Sequence, residues 1–542
     1  MESNWYPDLV TWINSNGGYI NKSLGLEENT PDARGIYANG DISKGSLLIR
    51  LPASLALCGD NFPSQYEFEF CNRNASNWLR CIAALIAEFL QKDPKFDKYV
   101  SSLPQSYETL LHETSWSDAE VKSYLAGTTI GKMVVEDRKS SAMKTRFEKS
   151  VKPFLVANKV IDQRLMNNGD ELFAMFQMAC ACVSTRGFHL REDDENNSNN
   201  SGGPFLLPFI DLLNHASSPA DKCTTLQRRT AKSSFNEGGN LVQDGFFMTA
   251  ECDIRQGEEI LHSYGRGLTS GQLLQTFGFV EDGQVQRAIG QSFDINGITA
   301  AAVSKTSIIN ACAHITSSSI PQELERMILT DPDLQDFDVW SLPEAGDLEA
   351  RNSGEVQRQI LDELIITYSE PLSDELVTLC CAQFLPSDAY VEICGGEEDS
   401  EHKTLSLLSA EILEDFFLGS LILHAILYVV KQRLSEYSII APPANVHVGE
   451  SPNCRDSVDE MERDRFMLEI LAKERTNDRK KESNVSEKEL NHAIYGLTLR
   501  IEEKACLLKL KEDCDALLQS FKKAAAKRYT TCTEQPCKRI KL

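Results

Sequence analysis

The stretch GEEILHSYGRGLTSGQLLQTFGFVE, Gly257–Glu281, decides how the chain is read. A glycine turn leads into Ile260, His262 and Tyr264 at alternate positions. Gly265 and Gly267 break the run, and apolar residues then recur at helical spacing. Alternation of period two followed by glycines predicts a strand that ends abruptly and delivers Tyr264 to the mouth of a loop. Such a tyrosine is either ordinary surface or the working end of a site, and the choice depends on what else in the chain points toward it.

Working outward, the preceding stretch FLLPFIDLLNHA (205–216) places Asn214 and His215 after an apolar, strand-like run. An amide and an imidazole there need partners, since each unpaired buried polar group costs about 1–3 kcal/mol. They belong either to a satisfied core network or to a site for a polar ligand. A polar excursion over 216–240 follows, then an Asp244-Gly245 hairpin signal between Leu241–Gln243 and Phe246–Ala250. Further upstream, DELFAMFQMACACVSTRG (170–187) predicts a buried helix ending at Thr185 and Arg186, with Gly187 as its C′ residue. The arginine after this apolar run either snorkels to solvent or meets an anion. The stretch 191–203 reads as a polar linker.

Near the N-terminus a helix over 5–14 stops at Gly17-Gly18. DARGIYANGDISKGSLLIRLP (32–52) then combines glycines at 35, 40 and 45 with short β-like runs, of which Ser46–Leu51 is a strand stopped by Pro52. Glycine-strand segments of this kind let backbone amides approach a ligand. Helices are expected at Trp78–Leu90, after a Ser117/Glu120 capping box, and over 141–157. Beyond about residue 285 the pattern is helical nearly throughout, ending with Leu490, Ile494, Leu497, Ile501 and Leu508 at helical spacing.

Composition bounds the function. At 542 residues, length implies about two to four domains, and 42% hydrophobic with 25% charged residues is ordinary for a soluble globular protein. The net charge of −25 argues against non-specific nucleic-acid binding and favours basic protein partners. Acidic clusters at Glu192–Glu195, Asp331–Asp338 and Glu397–Glu401 read as solvated loops. The 16 cysteines, including Cys81, Cys180, Cys182 and Cys506 in apolar helical settings, read as reduced small hydrophobes. Cys532 and Cys537 lack partnering histidines, so no structural metal is expected. The first residues show neither a secretory nor a transit pattern, and Phe416–Val430 is too short to span a bilayer. A soluble protein of the cytoplasm or nucleus is expected, with no membrane partner.

Together, DARGIYA with DISKG, VSTR, PFIDLLNH, and GEEILHSYG through TFGF resemble, in order and spacing, the SET-domain protein methyltransferases. Within that family they resemble the class typified by the Rubisco large-subunit lysine methyltransferase. HAIYGLTLRIEEKACLLKL is similar to that class's last substrate-domain helix. The resemblance implies an α+β chain: a SET-type knotted β fold over 1–285, with a helical insertion at about 62–204 and a polar loop at 216–240. An all-α substrate-binding domain over 286–525 and a basic disordered tail over 526–542 follow. It implies transfer of methyl from S-adenosyl-L-methionine to a protein lysine, leaving S-adenosyl-L-homocysteine and needing no metal, with a monomer acting on a protein of basic surface or tail.

By position, the resemblance assigns backbone contacts with the cofactor to Asp32, Ala33 and Arg34, and its carboxylate to Arg186. Asp211, Asn214 and His215 would pin its amino-acid and adenine portions, and Phe279 would cover the adenine. Tyr264 would be catalytic, with Thr185 and Phe277 lining the substrate channel. At Phe277 the class has tyrosine, so methyl number and acceptor type stay open, and histidine is the alternative acceptor. A non-catalytic binding scaffold of the same fold is the rival reading. The ending KRIK (538–541) resembles a short nuclear-import signal, with a solvated tail as the alternative.

Overall fold

The computed structural model describes residues 5–30, 33–59, 77–91, 94–104, 112, 115–161, 164–165, 168–191, 201–216, 221–229, 244–265, 268–290, 292–293, 299–317, 363–384, 413, 416–437, 457–476 and 486–534. Asp32, Leu241–Gln243, the three acidic clusters and the KRIK ending lie outside them. The chain divides into two compact units: Met1–Val121 with Met133–Gly283, and Lys122–Lys132 with Gln284–Leu542.

The first unit carries β1 (Tyr19–Ile20), β2 (Leu24–Thr30), β3 (Ala33–Ala38), β4 (Leu47–Pro52), β5 (Gly187–Arg191), β6 (Ser201–Leu206), β7 (Thr224–Arg229) and β8 (Gly245–Ala250). These pair antiparallel as a β1-β4-β8-β7 sheet and as the two-stranded ribbons β2-β3 and β5-β6. In β4, Leu48, Ile49 and Leu51 are fully buried, and Pro52, lacking an N–H to extend the ladder, ends the strand. Helices Asn77–Leu90 and Gly169–Arg186 pack into the same core, where Cys81 and Cys182 are buried beside Ile82, Leu85 and Phe176. The capping box forms as expected, Glu120 N–H donating to Ser117 Oγ at 3.2 Å and Ser117 N–H to Glu120 Oε2 at 2.7 Å.

Three local expectations are corrected. β8 pairs with β4 on one side and with β7 on the other, and β7 lies inside the stretch read as a polar excursion; buried Thr224 and half-buried Leu226 give that polar strand its inner face. Gly187 is extended (φ −79°, ψ 128°) and starts β5 rather than adopting a left-handed cap. It is glycine because a Cβ there would lie 2.5 Å from the Val183 carbonyl oxygen. The alternating run at 260–264 joins none of the sheets. Ile260 N–H donates to Ile36 O at 2.7 Å and His262 N–H to Asn214 O at 2.9 Å, while Ala216 N–H donates to His262 O at 3.0 Å. The period of two survives, but the partner changes within three residues, so only single bridges form, Tyr37 with Glu259 and His215 with His262.

The second unit is not all helical. β9 (Ala300–Ser304) and β10 (Glu363–Thr367) pair antiparallel. Helices Lys305–Ser317, Asp374–Phe384, Phe416–Ser435, Ser457–Thr476 and Glu487–Glu534 make up most of its described remainder. The last helix continues through 526–534, where a disordered tail was expected. Leu421, Ile422, Leu423, Ala425 and Ile426 bury the apolar helix Phe416–Ser435 in this unit's core, and no described helix is long and apolar enough to cross a membrane.

Charges are buried here as well. Arg433, with 5% of its side chain exposed, lies 2.7 Å from Glu503, which is 7% exposed and also accepts from Tyr437 Oη at 2.6 Å. Arg433 also bonds the Gly127 carbonyl, and Arg500 Nη1 donates to Ala126 O at 2.6 Å, which pins the Lys122–Lys132 segment into the unit. Breaking one side of a buried pair leaves an uncompensated charge. Glu503→Gln is therefore expected to cost about 3–5 kcal/mol, and Glu436→Gln, whose carboxylate is 41% exposed, under about 1 kcal/mol. Denaturant midpoints of the two variants check this.

Candidate active site

Tyr264 sits where the partner-switching segment ends. Its amide donates to His215 Nδ1 at 3.0 Å and its hydroxyl to the Leu213 carbonyl at 2.7 Å. Its ring lies 4.7 Å from Phe277, 5.0 Å from His215 and 6.4 Å from Phe279. Burial raises the Tyr264 pKa to about 12, with the Arg186 charge opposing and Asp211 and Glu259 adding to the rise. At neutral pH this group is a phenol donor, not a base.

Helix Ser270–Phe277 places the two phenylalanines. Thr269 and Gln272 form a reciprocal capping box at its start, and Gly278 in the left-handed region (φ 81°) ends it, so that Phe277 and Phe279 flank a sharp turn. His112 braces that turn: its Nε2 lies 2.7 Å from the Gln275 carbonyl, and a Cβ on Gly278 would lie 3.0 Å from its amide nitrogen.

Arg186, at the end of helix Gly169–Arg186, meets an anion. Its Nη1 donates to the Asp211 carbonyl at 3.1 Å and lies 3.4 Å from Asp211 Oδ2. Tyr99 Oη donates to the same carboxylate oxygen at 3.0 Å. The Asp211 side chain is 1% exposed and that of Arg186 19%, and the Asp211 carboxylate faces Arg186 and Tyr99 and holds the arginine. Burial raises the Asp211 pKa, and Arg186 with Tyr99 works against that rise. Among the described residues the protein hydrogen bonds of Arg186 run through Nη1 alone, leaving donors for a second anion.

Asn214 Nδ2 donates to the Arg34 carbonyl at 3.0 Å and to Glu259 Oε1 at 2.7 Å. That crossing accounts for Gly35: a Cβ there would lie 2.4 Å from Glu259 Oε1 and 3.1 Å from Asn214 Nδ2. The Arg34 guanidinium turns away, donating to Ser102 O at 3.1 Å and lying 5.4 Å from the Trp5 ring centroid. Ala33 pairs with Thr30 at the edge of the β2-β3 ribbon. The Thr185 hydroxyl is taken by its own helix, donating to Ala181 O at 2.8 Å. The site therefore gathers Arg186, Asn214, His215, Tyr264, Phe277 and Phe279.

Glu259, Tyr99, His112 and Glu281 were not singled out in the sequence. Glu259 lies in the GEE turn, where an acidic residue before an apolar alternation was a usable signal. Tyr99 and His112 stand outside every motif, and only folding brings them here.

Residues 33–265 match the family model described as SET domain. N-lysine methyltransferase SETD6 of Mus musculus is 24% identical over 262 residues, 47% of this chain and 49% of that protein. SETD6 of Homo sapiens is 22% identical over 258 residues, 47% of this chain and 49% of that protein. The chain spans about half the length of these curated relatives. The crystal structure of the SET domain of LSMT bound to lysine and AdoHcy aligns with a TM-score of 0.56 at 16% identity, covering 96% of this chain and 93% of that one.

Burial also lowers the pKa of His112 and of His262 from 6.5 to about 4. Both are neutral when folded, whereas the unfolded chain takes up protons below pH 6.5. Stability is thus complete above that pH and falls as pH drops toward 4, by up to about 3 kcal/mol for each ring. Thermal melts across this window should show the fall, and His262→Asn, which cannot titrate there, should flatten it.

Proposed function

We propose that the chain, whose residues 33–265 match the SET-domain family model, is an S-adenosyl-L-methionine-dependent protein-lysine N-methyltransferase. The observation that carries this reading is Tyr264: a buried phenol, walled by Phe277 and Phe279, beside an arginine with unused donors. The described residues suit the cofactor. Arg186 offers a charge-assisted donor for a carboxylate, Asn214 and the 213–215 backbone offer polar contacts, and Phe279 offers an apolar face for a purine. When bound, the cofactor supplies a sulfonium methyl for in-line displacement.

The chain's own work is then positioning. A free lysine has a pKa near 10.4, so presenting a neutral amine at pH 7 costs about 4.6 kcal/mol. The half-buried aromatic wall favours the neutral form by desolvation, so no general base is assigned. The Tyr264 hydroxyl oxygen and the Leu213 carbonyl, bonded to each other, present two fixed acceptor oxygens toward which an amine N–H is aimed. Phe277 adds shape without a hydroxyl. The chain's −25 charge supports a protein substrate with a basic surface or tail, met by a monomer. The KRIK ending supports action in the nucleus as well as the cytoplasm.

Incubation of the full chain with labelled cofactor and a methylation-depleted lysate, followed by mapping of the modified residue, tests the reading. Label on lysine supports it, label on histidine replaces the acceptor, and an absence of both cofactor binding and label leaves the scaffold reading. Tyr264→Phe is expected to lower transfer about hundredfold or more while cofactor affinity in calorimetry stays within about twofold. Equal loss of both would make Tyr264 structural.

A further inference from the structure

His215 has a protein neighbour at each ring nitrogen. Its Nδ1 accepts the Tyr264 amide at 3.0 Å, and its Nε2 lies 3.4 Å from Glu281 Oε1, with the two side chains 8% and 10% exposed. An imidazole accepts at Nδ1 only when that nitrogen carries no proton, which in the neutral ring puts the proton on Nε2. A carboxylate facing Nε2 favours that tautomer, as a second partner commonly orients a working histidine.

We propose that Glu281 is a positioning residue that, through the Nε2–H tautomer of His215, holds the backbone amide of Tyr264 and so aims its phenol. The local chain makes such a brace necessary. Tyr264 follows a segment whose pairing switches from β3 to residues 214–216 and precedes Gly265, so no sheet ladder restrains it. The neighbouring His262 carbonyl already accepts the Ala216 amide. Glu281 reaches His215 from the turn that carries Phe277 and Phe279, two residues past Phe279 and next to buried Val280. The brace therefore ties the phenol and the aromatic wall to one another.

The groups facing His215 are the Glu281 carboxylate, the His262 carbonyl and imidazole, and the Tyr264 and Phe279 rings at 5.0 and 6.3 Å. Burial lowers the pKa of His215, with Glu281 and the His262 carbonyl opposing, so the ring stays neutral at pH 7. Protonation of Nδ1 would remove the acceptor that Tyr264 uses.

The effect on turnover rests on the transferase reading, whereas the tautomer does not. The test is therefore twofold, on the full chain labelled with ring-¹⁵N histidine. In the unsubstituted protein near pH 7, His215 should show an unprotonated Nδ1 and a protonated Nε2. Glu281→Gln, whose amide oxygen still accepts, should keep that tautomer and most of kcat, while the His215 titration midpoint falls by roughly one pH unit as the carboxylate is lost. Glu281→Leu should mix the tautomers and lower kcat about tenfold, with the cofactor KM unchanged. A proton on Nδ1 in the unsubstituted chain would overturn the proposal. So would a leucine variant with an unmixed tautomer, or a glutamine variant with an unmoved midpoint. If no methyl is transferred by any form, the ring nitrogens still decide it, and the two readings fail separately.

Discussion

The backbone of residues 259–264 binds one neighbour and then another. Through Glu259 and Ile260 it pairs with β3, and through His262 it pairs with 214–216. A ladder to one strand would have satisfied the same amides, but it would have left Asn214 and Tyr264 on different edges. Because the partner changes, Arg34, Asn214, Glu259 and Tyr264 converge within a few ångströms. The Asn214 amide then closes the crossing onto the Arg34 carbonyl and the Glu259 carboxylate. Gly35 is the steric condition for that closure, since any side chain would occupy the space of the Glu259–Asn214 bond.

Electrostatics in this region follow depth. Asp211, with 1% of its side chain exposed, meets Arg186, at 19%, and Tyr99 supplies a further donor, both at Oδ2, while its buried Oδ1 has no hydrogen-bond partner among the described residues. Its cost is offset by holding one face of a guanidinium whose other face stays available. Burial likewise keeps Tyr264 a phenol and His215 a neutral ring. The site is thus one of fixed donors, an apolar wall and little titration near pH 7, which suits positioning better than proton transfer. The second unit uses buried charge differently: Arg433, Glu503, Arg500 and Asp464 fasten helices and the Lys122–Lys132 segment with no open donor face evident in the same way.

Much of the site was legible along the chain. Tyr264, Asn214 and His215 stood out because polar residues at the ends of apolar runs need a reason, and Arg186 because a cation after an apolar helix must find an anion or water. Asp211 was legible as part of the site, but its bond from Tyr99 was not, since that residue arrives from a helix 112 residues away. The hydrogen bond of Thr185 was also legible, since a serine or threonine in a last helical turn bonds readily to its own carbonyls. The strand β7 was missed because its inner face rests on Thr224 and Leu226, too little apolar pattern to mark a strand.

By itself the sequence determined the α+β class, the buried strand ended by Pro52, the helix whose last turn carries Arg186, and the glycine-broken run that presents Tyr264. These are local consequences of side-chain period, capping and backbone freedom, and each is written within some twenty residues. Only the tertiary structure decided which neighbours the 259–264 backbone bonds, that Asp211 braces Arg186 while Glu281 faces His215, and that a strand pair interrupts the helical second unit. Those outcomes depend on burial and on partners far apart in the chain. A hydrogen bond or ion pair gains its weight from the water excluded around it, and that exclusion exists only once the fold has closed.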